Sequence, residues 1–211
     1  WQKDTTQEIV KKIYISDSSP GVLDEILGVE CFMYGAWEEE KLKGEVKEVI
    51  AKRDGAICLG TTDGAVWITH LKEPKGIKLP STYVLKDKIQ GVKENRLPLT
   101  FDMTYKTFYE IGSHKDGDVS YLCFNFHNGA MNSEQAIRLK YAFEYLKETA
   151  KVIVFIGARD VFSNGIHLNI LEDSQKQGED GWSNINAMND LIKSIIFADH
   201  VIMWWGKKIQ F

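Results

Sequence analysis

Prolines are scarce, four in 211 residues, and cysteines scarcer, three. Cys31, Cys58 and Cys123 lie far apart and form no C-x-x-C pair. An odd, dispersed set excludes a disulfide framework and lacks the spacing of a zinc site. The five histidines are dispersed too, with no H-x-x-x-H or H-E-x-x-H pair, so no metal site is expected. An excess of basic residues is also missing: 26 Lys and Arg face 30 Asp and Glu, a formal net charge of −4. That argues against a nucleic-acid surface, which usually needs a basic face. No apolar run approaches the roughly 20 residues of a membrane-spanning helix. The opening "WQKDTTQEIVKK" lacks the apolar core of a signal peptide. The expectation is a soluble, cytoplasmic chain. Its 44% hydrophobic content supplies a core for one or two domains.

What is present changes period along the chain. In "DTTQEIVKKIYI", Ile9, Val10 and Ile13 form an apolar stripe at helical spacing, and Asp4 or Thr5 is a candidate cap. "GEVKEVIAK", "AICLGT" and "AVWITHLK" are short β-branched runs separated by Asp54-Gly55 and Asp63-Gly64. Asp-Gly between apolar runs signals a hairpin, because both residues tolerate positive φ. A three-stranded meander follows, extended by strands in "VECFMYG" and "STYVL" into a small antiparallel barrel or open sheet. Trp67 and His70 read as packing residues of that sheet rather than as a binding pair.

Residues 86–118 are charged, carry Pro98 and several glycines, and make the best candidate boundary. Beyond them "DVSYLCFNF" reads as a buried strand. "NGAMNSEQ" then turns into a helix with Asn132 as cap and Gln135 three residues on. Leu139, Ala142, Phe143 and Leu146 share a face of that helix. "KVIVFI" reads as a strand covered on both faces, so strand, helix and strand form a parallel unit. A second helix follows, with Ser183 as cap and Ile185, Met188, Ile192, Ile195 and Ile196 inward. "VIMWW" begins another strand. The acidic run with Glu172, Asp173, Glu179 and Asp180 reads as a solvated loop.

Chemistry concentrates in two glycine turns at strand ends, "NGAM" (128–131) and "FSNGIHLN" (162–169). Glycine lets backbone approach a ligand closely, and open α/β sheets place ligands beyond the carboxyl ends of their strands. Amides there can stabilise negative charge developing on a carbonyl oxygen. On pattern alone, a plain turn remains the commoner outcome. His167 titrates near neutrality in its free form, but no Ser or Cys nucleophile with an orienting acid is readable beside it.

"FNFHNGAMNSEQAIRL", "KVIVFIGARDVFSNGIHLN" and "GWSNINAMNDL" resemble the crotonase (enoyl-CoA hydratase/isomerase) superfamily. With "RDGAICLGTTDGAVWITHLK" and the order of modules, they resemble the HoxX-type hydrogenase maturation proteins, from about Trp1 to about Ile202. The resemblance implies an α/β plus all-β chain: a helical tail (1–21) and a formyltransferase C-terminal-like β-barrel (22–86). A linker (87–118) then leads to the N-terminal part of a crotonase-like ββα domain (119–211).

In that family a formyl group passes from a folate carrier to coenzyme A, and the crotonase-like part releases carbon monoxide from formyl-CoA as an iron ligand of nickel–iron hydrogenase. Carried over, Gly165 and Ile166 form the catalytic oxyanion turn, with the Ile166 N–H as donor. Phe162, Ser163, Asn164 and His167 line the CoA site with Asn128, Gly129, Ala130 and Met131. Coenzyme A is the implied cofactor; formyl-tetrahydrofolate would enter only through an upstream module.

"MWWGKKIQF" does not match the family's Gly-rich segment with the second oxyanion amide, and its acid/base Tyr and Glu come later still. A truncated, inactive piece is therefore expected. It would pair with the remainder of the polypeptide or with hydrogenase maturation proteins. The alternative is a non-catalytic CoA-binding or protein-docking module, motivated by Trp204, Trp205, Ile209 and Phe211. RNA binding through the barrel is disfavoured by Glu38, Glu39, Glu40, Glu45 and Glu48.

Overall fold

The computed structural model describes residues 1–158 and 161–205. The chain divides into two compact units, Trp1–Arg96 with Thr104–Phe108, and Leu97–Met103 with the residues from Tyr109 onward.

In the first unit, α1 (Thr6–Ile15) starts at a capping box. The Thr5 hydroxyl accepts from the Glu8 amide, and the Glu8 carboxylate accepts from the Thr5 amide at 2.8 Å. Its Ile9 and Ile13 are buried. Six strands follow: β1 (Val22–Ile26), β2 (Val29–Glu39), β3 (Val49–Arg53), β4 (Ala56–Gly60), β5 (Ala65–Lys72) and β6 (Leu79–Pro80). They form one antiparallel sheet in the order β1-β2-β5-β4-β3, with β6 on β5. That path is open: β1 and β3 do not pair, so no closed barrel is found among the described residues.

The two-residue period sorts β4 and β5 onto two cores. Ile57, Leu59, Val66 and Ile68 pack with α1, and Ala56, Cys58, Ala65 and Trp67 pack with Phe108. Trp67 is therefore a core residue, as expected. Burial pushes the Cys31 thiol up to about 11 and the Cys58 thiol up as well, so neither is a nucleophile at neutral pH.

Two local expectations change here. Asp54 and Gly55 do take positive φ, 47° and 81°, in the turn between β3 and β4. Asp63 and Gly64 do not. The Asp63 carboxylate instead accepts from the Thr6 amide at 2.8 Å and the Thr6 hydroxyl at 2.7 Å. "STYVL" is not a strand but a helical turn, α2 (Ser81–Leu85). Pro80 suits the entry to a helix, and the Ser81 hydroxyl donates to the Ile68 carbonyl at 2.7 Å, anchoring the turn on β5.

In the second unit, β7 (Ile111–Asp116) pairs antiparallel with β8 (Val119–Phe124). β8, β10 (Val152–Ile156) and β12 (Val201–Trp205) run parallel, in the sheet order β12-β10-β8-β7. β7 falls inside the polar span that reads as a linker. As an edge strand with exposed Lys115 and Asp116, it carries little apolar signal. A second, two-stranded sheet joins β9 (Ala130–Met131) to β11 (Gly165–Ile166).

The crossover helices α3 (Ser133–Lys147) and α5 (Gln177–Ile196) share one core with the sheet, built on Leu139, Phe143, Phe155, Leu191 and Ile195. The expected face of α3 is the buried one. For α5 the expectation holds only in part: Ile195 is buried and Met188 packs against the core. Ser183 lies inside the helix, and Ile185, Ile192 and Ile196 are exposed. Asn184, Ala187 and Leu191 are buried with Ile195, and the polar Asn184 has partners in the core. The run expected as a loop is mostly helical. Glu172 and Asp173 lie on α4 (Leu168–Asp173), and Glu179 and Asp180 in the first turn of α5, all exposed. No helix among the described residues is long and apolar enough to cross a membrane.

Candidate functional site

The two glycine turns are brought side by side. Asn128 (φ 53°, ψ 20°) and Gly129 (φ 67°) both occupy the left-handed region, which swings the chain out of β8 and into β9. β9 then pairs parallel with β11, Gly165 opposite Ala130 and Ile166 opposite Met131. Flanking bonds extend the pairing. The Asn164 amide donates to the Gly129 carbonyl at 2.7 Å, and the His167 amide to the Met131 carbonyl at 3.0 Å. The Asn164 side chain adds a bond from Nδ2 to the Asn128 carbonyl at 2.7 Å. Gly129 is required for this approach. A Cβ there would lie 3.0 Å from Val161 Cγ1 and 3.2 Å from both the Asn164 nitrogen and the Ser163 Cα.

Gly165 and Ile166 are half-buried, while Ser163 and Asn164 are exposed at the lip. Phe162 anchors the start of the turn. Its ring lies edge-on to Phe124 (5.1 Å between centroids) and to Trp204 (5.3 Å), and Trp204 stacks on Phe155 at 4.8 Å.

His167 is 7% exposed and caps α4, its Nδ1 accepting from the Ile170 amide at 3.4 Å. Burial pulls its imidazole pKa below the usual histidine value. The fold therefore holds it neutral. Its contribution to stability is full above the unfolded pKa, about 6.5, and is lost as pH falls through that value toward the folded one. His167→Asn keeps a capping acceptor. Its urea midpoint between about pH 7 and pH 5 is expected to fall less than that of the parent chain. Equal slopes would show that His167 carries none of the acid sensitivity.

Every side chain expected at the site from sequence lies on these two turns. Among the described residues, Asp180 is engaged by the Ser174 hydroxyl and Glu179 by Lys176 at 3.3 Å. Among the described residues no cluster of His, Cys, Asp and Glu is arranged to hold a metal ion. Asn184 lacked any local signal of its role. At 1% exposure it bridges the Met131 carbonyl and the Ser133 amide from α5.

No family model matches the chain. It is 35% identical over 199 residues to the hydrogenase maturation factor HoxX of Bradyrhizobium diazoefficiens, covering 93% of this chain and 34% of that protein. The chain matches HoxX/HypX hydrogenase maturation factors over most of its length. The fold agrees. HypX from Aquifex aeolicus, solved in complex with tetrahydrofolic acid, superposes with a TM-score of 0.92 at 41% identity, over 97% of this chain and 37% of that one. The chain thus spans about a third of the length of these HoxX/HypX relatives. A looser likeness, TM-score 0.41 at 17% identity over 47% of the chain, is to an enoyl-CoA hydratase/carnithine racemase from Magnetospirillum magneticum and carries no argument.

Proposed function

We propose that this chain is the CoA-thioester-binding stretch of a HoxX/HypX-type maturation factor. It would hold formyl-CoA for release of carbon monoxide as an iron ligand, the formyl group coming from a folate carrier. The observation that carries this reading is the β9–β11 pairing, which brings the two glycine turns side by side. The Ile166 N–H would be the donor to the thioester carbonyl, and such donors act on charge that develops during reaction. Phe162, Ser163, Asn164 and His167 on one turn, and Asn128, Gly129, Ala130 and Met131 on the other, would line the cofactor. Gly165 gives the donor amide its approach. The antiparallel first unit is the counterpart of a formyltransferase C-terminal module, and we assign it a structural role.

The test is calorimetric titration of this chain with acetyl-CoA, a stable thioester, and with free CoA. One donor bond contributes about 1 kcal/mol net, so a roughly fivefold preference for the thioester is expected. No carbon monoxide is expected from formyl-CoA with this chain alone. Equal affinities, or no binding, would overturn the reading.

A second reading, a docking module for another polypeptide, is favoured by one observation. β12 exposes Val201, Met203, Trp204 and Trp205, each by about half or more. The same titration separates the two, because a docking module without the turn's chemistry shows no thioester preference.

A further inference from the structure

Asn184 is a buried amide on a helix face that is otherwise apolar: Ala187, Leu191 and Ile195 are its buried companions. A polar group so placed needs partners in the core. It finds them on the turn between β9 and α3. Its Nδ2 donates to the Met131 carbonyl at 3.2 Å, and its Oδ1 accepts from the Ser133 amide at 3.0 Å. The amide's sense follows from those groups, since a carbonyl only accepts and a backbone N–H only donates.

Both contacts fall at critical atoms. Ser133 opens α3, where the first amides have no partner within the helix. The local cap, Asn132, serves the Gln135 amide at 2.9 Å and leaves Ser133 to Asn184. The Met131 carbonyl is also the acceptor of the His167 amide. One oxygen therefore joins α5, β9 and β11, and its two acceptor positions are filled by Asn184 and His167. The His167 bond in turn ties down the residue that follows Ile166.

We propose that Asn184 is a positioning residue. From α5 it holds the Met131 carbonyl in line with His167 and so fixes the turn that carries Gly165 and Ile166. The direction of effect on ligand rests on the thioester reading above; the hold on the turn does not.

The test uses the whole chain and two variants. Asn184→Asp is isosteric and keeps the acceptor for Ser133, but it loses the donor and sets a carboxylate oxygen against the Met131 carbonyl. Asn184→Ser keeps a hydroxyl but not the reach, and covers the case in which the carboxylate prevents folding. Two quantities are read: the acetyl-CoA to CoA affinity ratio, and backbone hydrogen exchange at His167 by NMR. In both variants the ratio is expected to fall to about one, with CoA affinity itself within twofold of the parent. His167 exchange is expected to speed up at least tenfold.

A merely structural role would lower the melting temperature and leave the ratio intact, and that result overturns the proposal. If the parent chain shows no thioester preference, the functional reading fails by itself. His167 exchange then still decides: acceleration supports the hold by Asn184, and no change overturns it.

Discussion

Gly129→Val is expected to destabilise the second unit by roughly 2–4 kcal/mol and to remove thioester binding. The estimate combines two costs. The left-handed backbone at φ 67° is strained for a β-branched residue, at about 1–3 kcal/mol. The remainder is steric. The added Cβ meets the Asn164 nitrogen and the Ser163 Cα, which are backbone atoms and cannot rotate aside. The two turns must separate, and the bond from the Asn164 amide to the Gly129 carbonyl is the first to lengthen.

Gly165→Ala supplies the contrast. Its φ is 76°, but nothing lies within 4 Å of the new Cβ. It should cost about 1–2 kcal/mol of backbone strain and leave the β9–β11 pairing in place. Thermal denaturation with acetyl-CoA titration measures both. If Gly129→Val costs no more than Gly165→Ala, the close approach of the turns is not what fixes glycine at 129.

Features encoded within a few residues were legible. Asn132 with Gln135 forms the expected capping box, its two halves three residues apart, and α3 begins where that box places it; at α1 the cap is Thr5, one of the two candidates, completed by Glu8. The same held for the three-stranded meander and for the apolar face of α3. The strand at 111–116 was hidden because an edge strand need not be apolar. The helical turn at 81–85 was hidden because its anchor, the Ile68 carbonyl, belongs to another strand. On α5 the expected face was right at Met188 and Ile195 and missed Asn184, Ala187 and Leu191, since Asn184 is soluble in the core only through partners on β9 and α3. The glycines of the two turns were visible one at a time. That Gly165 lies opposite Ala130 is a long-range pairing, and no spacing within either turn encodes it.

Glu39→Ala is expected to cost the first unit about 3–5 kcal/mol, the usual price of breaking a buried charged network from one side. Glu39 is 4% exposed, and every acceptor position it has is used. Oε1 takes the Lys41 amide at 2.8 Å and the Leu42 amide at 3.1 Å. Oε2 takes the Trp67 indole N–H at 2.7 Å and the Thr107 hydroxyl at 2.6 Å. Thr107 in turn accepts from Arg53 at 2.8 Å, and the Arg53 guanidinium lies over the Trp67 ring at 4.4 Å. Burial pulls the Arg53 pKa below its ordinary value, and Glu39 is the largest influence opposing that shift. Removing the carboxylate therefore strands the indole N–H, the Thr107 hydroxyl and two backbone amides, and takes away the main charge offsetting the burial of Arg53.

The network also explains how residues 104–108, in a span that reads as linker, belong to the first unit. Arg53 holds Thr107 and the Phe108 carbonyl. The Lys106 amide donates to Glu40 at 3.0 Å, and the Lys106 ammonium pairs with Glu38 at 2.7 Å. A double-mutant cycle in urea tests the coupling. Glu39→Leu with Arg53→Met removes both charges, and its cost should fall well short of the sum of the two single changes. Additive costs would mean that carboxylate and guanidinium are held independently, and that Thr107 relays nothing between them.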